Sequence, residues 1–130
     1  MSSKKSLHTV ALPSTDFIVP AYWDEKGPSP AIRFSYDKDG VEYRSGIEFR
    51  RVLAMRWRAE RCCTAWHIEG AYDTLVEVEN SLWVQELRAD TYAQWRDKWE
   101  THHYMIYLDG VSFEVVAESW AALPDEPAAQ

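Results

Sequence analysis

The sequence predicts an α+β fold: an antiparallel, strongly bent sheet of about five strands, half-barrel-like, with one helical segment (about 81–100) inserted before a C-terminal hairpin. Three observations predict it. Two Asp-Gly turns each lie between alternating segments, one long stretch alternates with period 2, and helix-capping residues precede the last hairpin.

The length of 130 residues predicts a single domain over residues 1–130, with its core at 31–123. Residues 1–30 are expected to be irregular, because prolines and a glycine punctuate them. These are Pro13, Pro20, Gly27, Pro28 and Pro30. The polar tail, residues 124–130, is expected to be frayed.

The first hairpin is predicted by turn chemistry and apolar parity together. Residues 31–36 alternate, and Asp39-Gly40 supplies the turn. Across that turn, Phe34 and Tyr36 fall on the face of Tyr43. The two independent features therefore agree on one register.

The second strand of this hairpin is predicted to run through Val41–Arg58, which alternates throughout. A helix over Glu48–Arg61 is the alternative, but it would place Arg56 inside the apolar stripe. Eighteen residues at roughly 3.3 Å each are too long for one straight strand in so small a domain. We therefore expect a bend near Gly46 or at Arg50-Arg51.

A third strand and a helical segment are predicted next. Tyr72–Glu79 alternates, with an acidic outer edge, and Asn80-Ser81 is good N-cap chemistry for a helix over Leu82–Ala89. Thr91-x-x-Gln94 has the form of a second capping box. An aromatic stripe on the helix after it is expected to pack on the sheet; it consists of Tyr92, Trp95 and Trp99.

Asp109-Gly110 predicts the C-terminal hairpin. With a two-residue turn, Leu108 faces Val111 and Ile106 faces Phe113. One face of the hairpin is then wholly apolar or aromatic. The other face carries polar groups, among them His103, Glu114 and Glu118.

The net charge of −7 is distributed unevenly along the chain. Residues 1–61 carry eleven Lys/Arg and eight Asp/Glu, whereas residues 62–130 carry three and thirteen. The overall sign argues against a nucleic acid or an anionic membrane as the principal partner and is compatible with a basic protein partner. No apolar run approaches the ~20 residues of a membrane helix, and the N-terminus lacks the apolar region of a secretion signal.

The adjacent cysteines Cys62 and Cys63 form a poor disulfide framework and fit a reducing compartment, so a cytoplasmic location is expected. Their spacing to His67 matches no nucleophile motif. Phosphate-binding loops and the G-x-S-x-G pattern are absent from the sequence. We therefore predict no cofactor and no metal site, and a role other than catalysis is favoured.

Two groups of titratable residues are candidate sites. His103, Glu114 and Glu118 share a strand face, which suits an acid/base pair or a divalent metal, or else a solvent-facing ion pair. The second group, predicted to bind a partner, comprises an acidic series with Trp83 as an aromatic anchor. Its acids are Glu69, Asp73, Glu77 and Glu79, for which a solvated surface is the alternative.

The leading hypothesis is a small acidic protein-interaction module, such as an inhibitor or immunity-type protein that binds a basic partner. One alternative is a small-ligand or sensor domain whose pocket is enclosed by tryptophans, namely Trp66, Trp83, Trp95 and Trp99. The other is a metal-dependent or acid/base enzyme that uses His103, Glu114 and Glu118. Homo-oligomerisation through a sheet edge is a further option.

Overall fold

The structure, a computed structural model, describes residues 3–91 and 98–128. Within them the chain forms nine strands and two α-helices, with short 3-10 turns at Ser14–Asp16 and Glu60–Cys62. The strands are β1 (Lys4–Thr9), β2 (Phe17–Asp24), β3 (Ala31–Lys38), β4 (Val41–Arg50), β5 (Ala54–Ala59), β6 (Thr74–Val78), β7 (His102–Leu108), β8 (Val111–Ala117) and β9 (Ser119–Pro127). The helices are α1 (Ala65–Ile68) and α2 (Leu82–Asp90).

The strands form two antiparallel sheets. The first has the order β1-β6-β7-β8-β5, and the second has the order β2-β3-β4-β9. The predicted α+β fold with a strongly bent antiparallel sheet is confirmed, although the strands number nine within the described residues. Neither helix in this part of the chain has the length and apolarity needed to cross a bilayer.

The main core lies between the two sheets. Phe49 of β4 and Tyr104 of β7, from opposite sheets, have ring centroids 5.7 Å apart. Other fully or nearly fully buried members are Ile32, Phe34, Tyr36 and Ile47 from the second sheet and Leu75, Ile106, Leu108, Phe113 and Val115 from the first. Burial of these side chains supplies the main driving force for folding.

The bend in the long alternating stretch occurs at Arg50-Arg51, one of the two predicted positions. β4 ends at Arg50, Arg51 takes a φ of 54°, and β5 begins at Ala54. Across the bend, the Glu118 amide donates to the Arg50 carbonyl at 2.9 Å, and the Leu53 amide donates to the Val116 carbonyl at 2.7 Å. A two-stranded ribbon therefore runs from the second sheet into the first. One of its strands is β4 continued by β5, and the other is β9 continued by β8.

The registers of both predicted hairpins are confirmed. Tyr36 pairs with Tyr43 across the first turn, and Ile106 pairs with Phe113 across the second. Asp39-Gly40 and Asp109-Gly110 all have positive φ, as tight hairpin turns require.

The prediction of irregular structure over residues 1–30 was wrong for β1 and β2, which pair with β6 and β3. The prediction of a frayed tail was wrong for Pro124–Pro127, which lies in β9. β2 and β9 are edge strands, where proline is tolerated because one side of the strand needs no ladder hydrogen bonds. Pro20 falls where the β2–β3 register shifts.

The helical segment is shorter in the described residues than the predicted span of 81–100. Ser81 caps α2 as expected, with its Oγ accepting from the Val84 amide at 3.2 Å. α2 ends at Asp90, and Thr91 is its C-cap. The proposed helix after the second capping box lies mostly outside the described residues, as do Tyr92, Gln94 and Trp95 of the predicted box and stripe. Trp99 is 37% exposed.

The outer face of the first sheet is also covered, by α1 and α2. Val76, Val78 and Met105 form a second small core there with Ala71, and Trp66 of α1 packs against it. Both faces of the β7–β8 hairpin are therefore buried, although the sequence indicated one apolar and one polar face. This second interior is where the candidate site lies.

Gly46 allows the close approach of β4 to β3, so Gly46→Ala should destabilise the protein. A Cβ at Gly46 would lie 2.4 Å from the Ile32 carbonyl oxygen, which is backbone and cannot rotate away. We expect a loss of roughly 2–3 kcal/mol in the free energy of unfolding, measured by urea denaturation. The matched control is Gly27→Ala, whose Cβ would lie 3.3 Å from the flexible end of Arg33 and at an ordinary contact distance of 3.8 Å from the Ser29 carbonyl oxygen. Equal midpoints for the two variants would contradict the steric argument.

Candidate functional site

A buried histidine–carboxylate pair occupies the outer face of the β7–β8 hairpin. His103 on β7 pairs with Val116 in the ladder, and Glu114 on β8 pairs with Met105, so the two side chains are diagonal neighbours. His103 Nε2 lies 2.8 Å from Glu114 Oε1. Their side chains are only 3% and 1% exposed, so the predicted proximity is present but a solvent-facing ion pair is not.

Arg56 compensates the charge of Glu114. It sits directly opposite Glu114 in the β5–β8 ladder and donates two hydrogen bonds to the carboxylate, from Nε and Nη2, each 3.0 Å long. Burial alone would raise the pKa of Glu114, but hydrogen bonds from His103 and Arg56 outweigh it and bring the pKa down to about 2. Glu114 is therefore ionised at neutral pH.

Ser81 completes the network at the N-terminus of α2. Its Oγ lies 2.7 Å from His103 Nδ1 and also accepts from the Val84 amide. An ionised Glu114 can only accept, so Nε2 of His103 carries hydrogen. In the neutral imidazole, Nδ1 then accepts from the Ser81 hydroxyl, so both ring nitrogens of His103 have a hydrogen-bond partner.

Trp83 covers this network. The Arg56 guanidinium lies 3.8 Å from the centre of the Trp83 ring, and the His103 ring meets Trp83 edge-on at 5.2 Å between centroids. Beside them is a cavity of about 220 Å³, also lined by Trp66 and Leu82. The cavity is mainly aromatic and apolar, and Arg56, Ser81 and His103 are its polar lining residues.

A second, acidic cleft of about 360 Å³ opens on the other side of Ser81 and His103. Glu77, Glu79 and His102 line it together with those two residues. His102 Nδ1 lies 2.7 Å from a Glu77 carboxylate oxygen, and His102 Nε2 lies 3.5 Å from Glu100.

The predicted acidic series does not act as one surface. Glu77 and Glu79 line the acidic cleft, whereas Glu69 and Asp73 do not. Asp73 accepts from the Ser14 amide at 3.2 Å and has a φ of 56°, which indicates a structural role. The acidic strand is also not an edge, because β1 covers β6 and pairs Lys5 with Glu77. The sequence did not predict this pairing, because the segment that forms β1 is mostly polar.

Other predicted site residues lie apart. Glu118 pairs with Arg51 at 3.2 Å instead of joining His103. No group of three or more His, Cys, Asp or Glu in residues 3–91 and 98–128 is placed to hold a metal ion. Trp66 and Trp83 share a cavity, but Trp99 lines a different one, and Trp95 lies outside the described residues.

His67 and the two cysteines have local structural partners. His67 caps α1, since its Nδ1 accepts from the Thr64 amide at 2.9 Å. Cys62 and Cys63 are both free, and burial raises the pKa of the Cys63 thiol. A raised thiol pKa disfavours the reactive thiolate.

The sequence missed two members of the network, Ser81 and Arg56. The sequence identified Ser81 only as part of a helix cap, and Arg56 only as a residue that argues against a helix over Glu48–Arg61. The β5–β8 pairing that places Arg56 opposite Glu114 joins segments far apart in the chain, and neither carries a local signal for it.

Comparisons with protein-family models, curated proteins and solved structures found no match to this chain.

The ionised Glu114 should make folding sensitive to acid. Its pKa in the folded protein, about 2, lies below its ordinary value of 4.5, so its contribution is present above about pH 4.5 and is lost as the pH falls toward 2. We expect a loss of roughly 3 kcal/mol in the free energy of unfolding over this window. Urea denaturation at a series of pH values measures it.

Glu114→Gln should flatten this pH dependence, although it also destabilises the fold at every pH by leaving Arg56 without its partner. Glu118→Gln, which removes a carboxylate of the more exposed pair with Arg51, is the control and should keep the wild-type slope. A Glu114→Gln variant with the wild-type slope would contradict the assignment.

Proposed function

We propose that this chain is a small protein-interaction module, of the inhibitor or immunity type, that binds a basic partner at the acidic cleft. The observation that carries the proposal is the convergence of Glu77 and Glu79 on one open cleft, with Glu100 beside His102 at its margin. The net charge of −7, concentrated after residue 61, supports a cationic partner.

The cleft is suited to a lysine or arginine side chain of the partner. The Glu100 side chain is 87% exposed, and Glu79 is exposed, so both are available to an incoming charge. Charges at the rim of an interface act mainly on the association rate and on the choice of partner. Trp83 lies in the adjoining cavity and provides apolar contact area near the acids.

We place this module in the cytoplasm. Cys62 is exposed and unpaired, and Cys63 is also free. Free thiols of this kind persist in a reducing compartment.

Reversing the charges of Glu79 in the cleft and of Glu100 at its margin should weaken capture of the partner. We expect Glu79→Lys with Glu100→Lys to weaken binding about tenfold or more, because like charges then face the basic partner. Affinity capture from cells of the native host with quantitative mass spectrometry identifies the partner, and calorimetry on the purified pair measures the dissociation constant. Binding should also weaken at about 0.5 M NaCl, where surface charges are screened.

The matched control is Asp16→Lys with Glu126→Lys, which changes the net charge equally at two exposed acids outside the cleft. Asp73 and Glu77 are left intact because both are partly buried and make partly buried hydrogen bonds, whereas the hydrogen bond that Glu79 accepts from Ser3 Oγ is exposed. Retention of the same partners by both double variants, or a captured partner that is not basic, would sink the proposal.

A further inference from the structure

We infer that Ser81 is the nucleophile of a carboxylic-ester hydrolase site, with His103 as its general base and Glu114 as the carboxylate that orients His103. This activity goes beyond partner binding and does not depend on it. It rests on the buried network, on the position of Ser81 in the fold and on the two pockets that meet there.

The hydroxyl, imidazole and carboxylate form one unbroken hydrogen-bonded series. Ser81 Oγ lies 2.7 Å from His103 Nδ1, and His103 Nε2 lies 2.8 Å from Glu114. A nucleophile, a base within hydrogen-bond reach and a third group that orients the base are the signature of an activated hydroxyl. Here the hydroxyl faces Nδ1 and the carboxylate faces Nε2, but either ring nitrogen can accept the proton.

Arg56 holds this series in its working form. Its two hydrogen bonds keep the Glu114 carboxylate in place and ionised. An ionised Glu114 keeps hydrogen on Nε2 and leaves Nδ1 as the acceptor for the Ser81 proton. Arg56 is therefore a positioning residue, since it acts through Glu114.

Ser81 stands between a strand and a helix. β6 ends at Val78, Asn80 takes a φ of 55°, and Ser81 caps α2. The first amides of a helix have no carbonyl acceptor within the helix, and they carry partial positive charge. We assign the amides of Leu82 and Trp83 as the donors for the oxyanion that forms beside Ser81.

The reaction proceeds by acyl transfer. Ser81 Oγ bonds to the ester carbonyl carbon as its proton passes to His103 Nδ1, and Glu114 stabilises the resulting imidazolium. The carbon–oxygen bond to the alcohol then breaks, and His103 returns the proton to the leaving alkoxide. Water attacks the acyl-Ser81 carbonyl by the same route in reverse, which releases the carboxylic acid and restores the hydroxyl.

The two pockets define the substrate class. Ser81 and His103 line both the aromatic cavity, with Trp66 and Trp83, and the acidic cleft, with Glu79. A short apolar acyl group fits the aromatic cavity of about 220 Å³. The acidic cleft favours an alcohol that carries a cation.

A small organophosphorus fluoridate tests the nucleophile directly, because Ser81 attack forms an Oγ–P bond and expels fluoride. Intact-mass and peptide mass spectrometry should find one phosphoryl adduct, located on Ser81. Hydrolysis of butyrylthiocholine and p-nitrophenyl butyrate should fall about a hundredfold or more in His103→Gln. Glu79→Lys should raise KM much more for the cationic ester than for the neutral ester, because the cleft then repels the cation.

Ser81→Ala and Ser81→Asp should both lose the adduct and the hydrolysis. Aspartate is as good a helix cap as serine, so Ser81→Asp separates loss of the nucleophile from loss of the cap. Its fold is verified by circular dichroism and thermal unfolding. The control Ser112→Ala removes a buried hydroxyl on β8 with no hydrogen-bond partner among the described residues, and it should keep both readouts.

Absence of an adduct on Ser81 in folded wild-type protein, or hydrolysis that persists in Ser81→Asp, overturns the inference. Affinity capture with Ser81→Asp tests the proposed partner binding independently of ester hydrolysis. If partner capture is retained while the folded wild-type protein forms no adduct and hydrolyses neither ester, the acidic cleft binds a partner and Ser81 serves only as a helix cap.

Discussion

The structure depends on the ribbon that carries two strands from one sheet into the other. Two backbone hydrogen bonds hold this crossing, from Glu118 to Arg50 and from Leu53 to Val116. The bend at Arg51 moves the chain from the second sheet into the first, where Met55 still packs on the main core and alternation turns Arg56 to the opposite face. Phe49 packs in the main core, whereas Arg56 reaches the outer face of the first sheet. Without this bend, Glu114 would have no cation opposite it.

The second interior imposes a strict requirement on its polar groups. A carboxylate that is 1% exposed is tolerated only when hydrogen bonds and an opposite charge compensate its lost hydration. Arg56 and His103 meet that requirement for Glu114, and Ser81 meets it for His103. The same contacts fix the start of α2 on the sheet. The hydrogen bonds that compensate the buried polar groups are thus the same ones that align the hydroxyl, the imidazole and the carboxylate.

The sequence was most informative where local chemistry and periodicity coincided. Asp39-Gly40 and Asp109-Gly110 predicted both registers, and the second register placed His103 diagonal to Glu114. Edge strands were missed because β1 is mostly polar, β2 and β9 contain prolines, and all three have few buried residues. The alternation of side chains along a strand also cannot show whether its polar face is exposed to solvent or packed in a second interior. The polar side of the last hairpin therefore looked like surface.

The sequence by itself determined the two hairpins and the Ser81 cap and limited the bend to Gly46 or Arg50-Arg51, because each depends on residues adjacent along the chain. Only the tertiary structure decided which segments pair across long separations. It paired β1 with the acidic strand β6 and separated Glu69 and Asp73 from the cleft. It also brought Arg56 to Glu114 and Ser81 to His103. Such pairings arise from shared burial and charge compensation between distant segments, which no local pattern encodes.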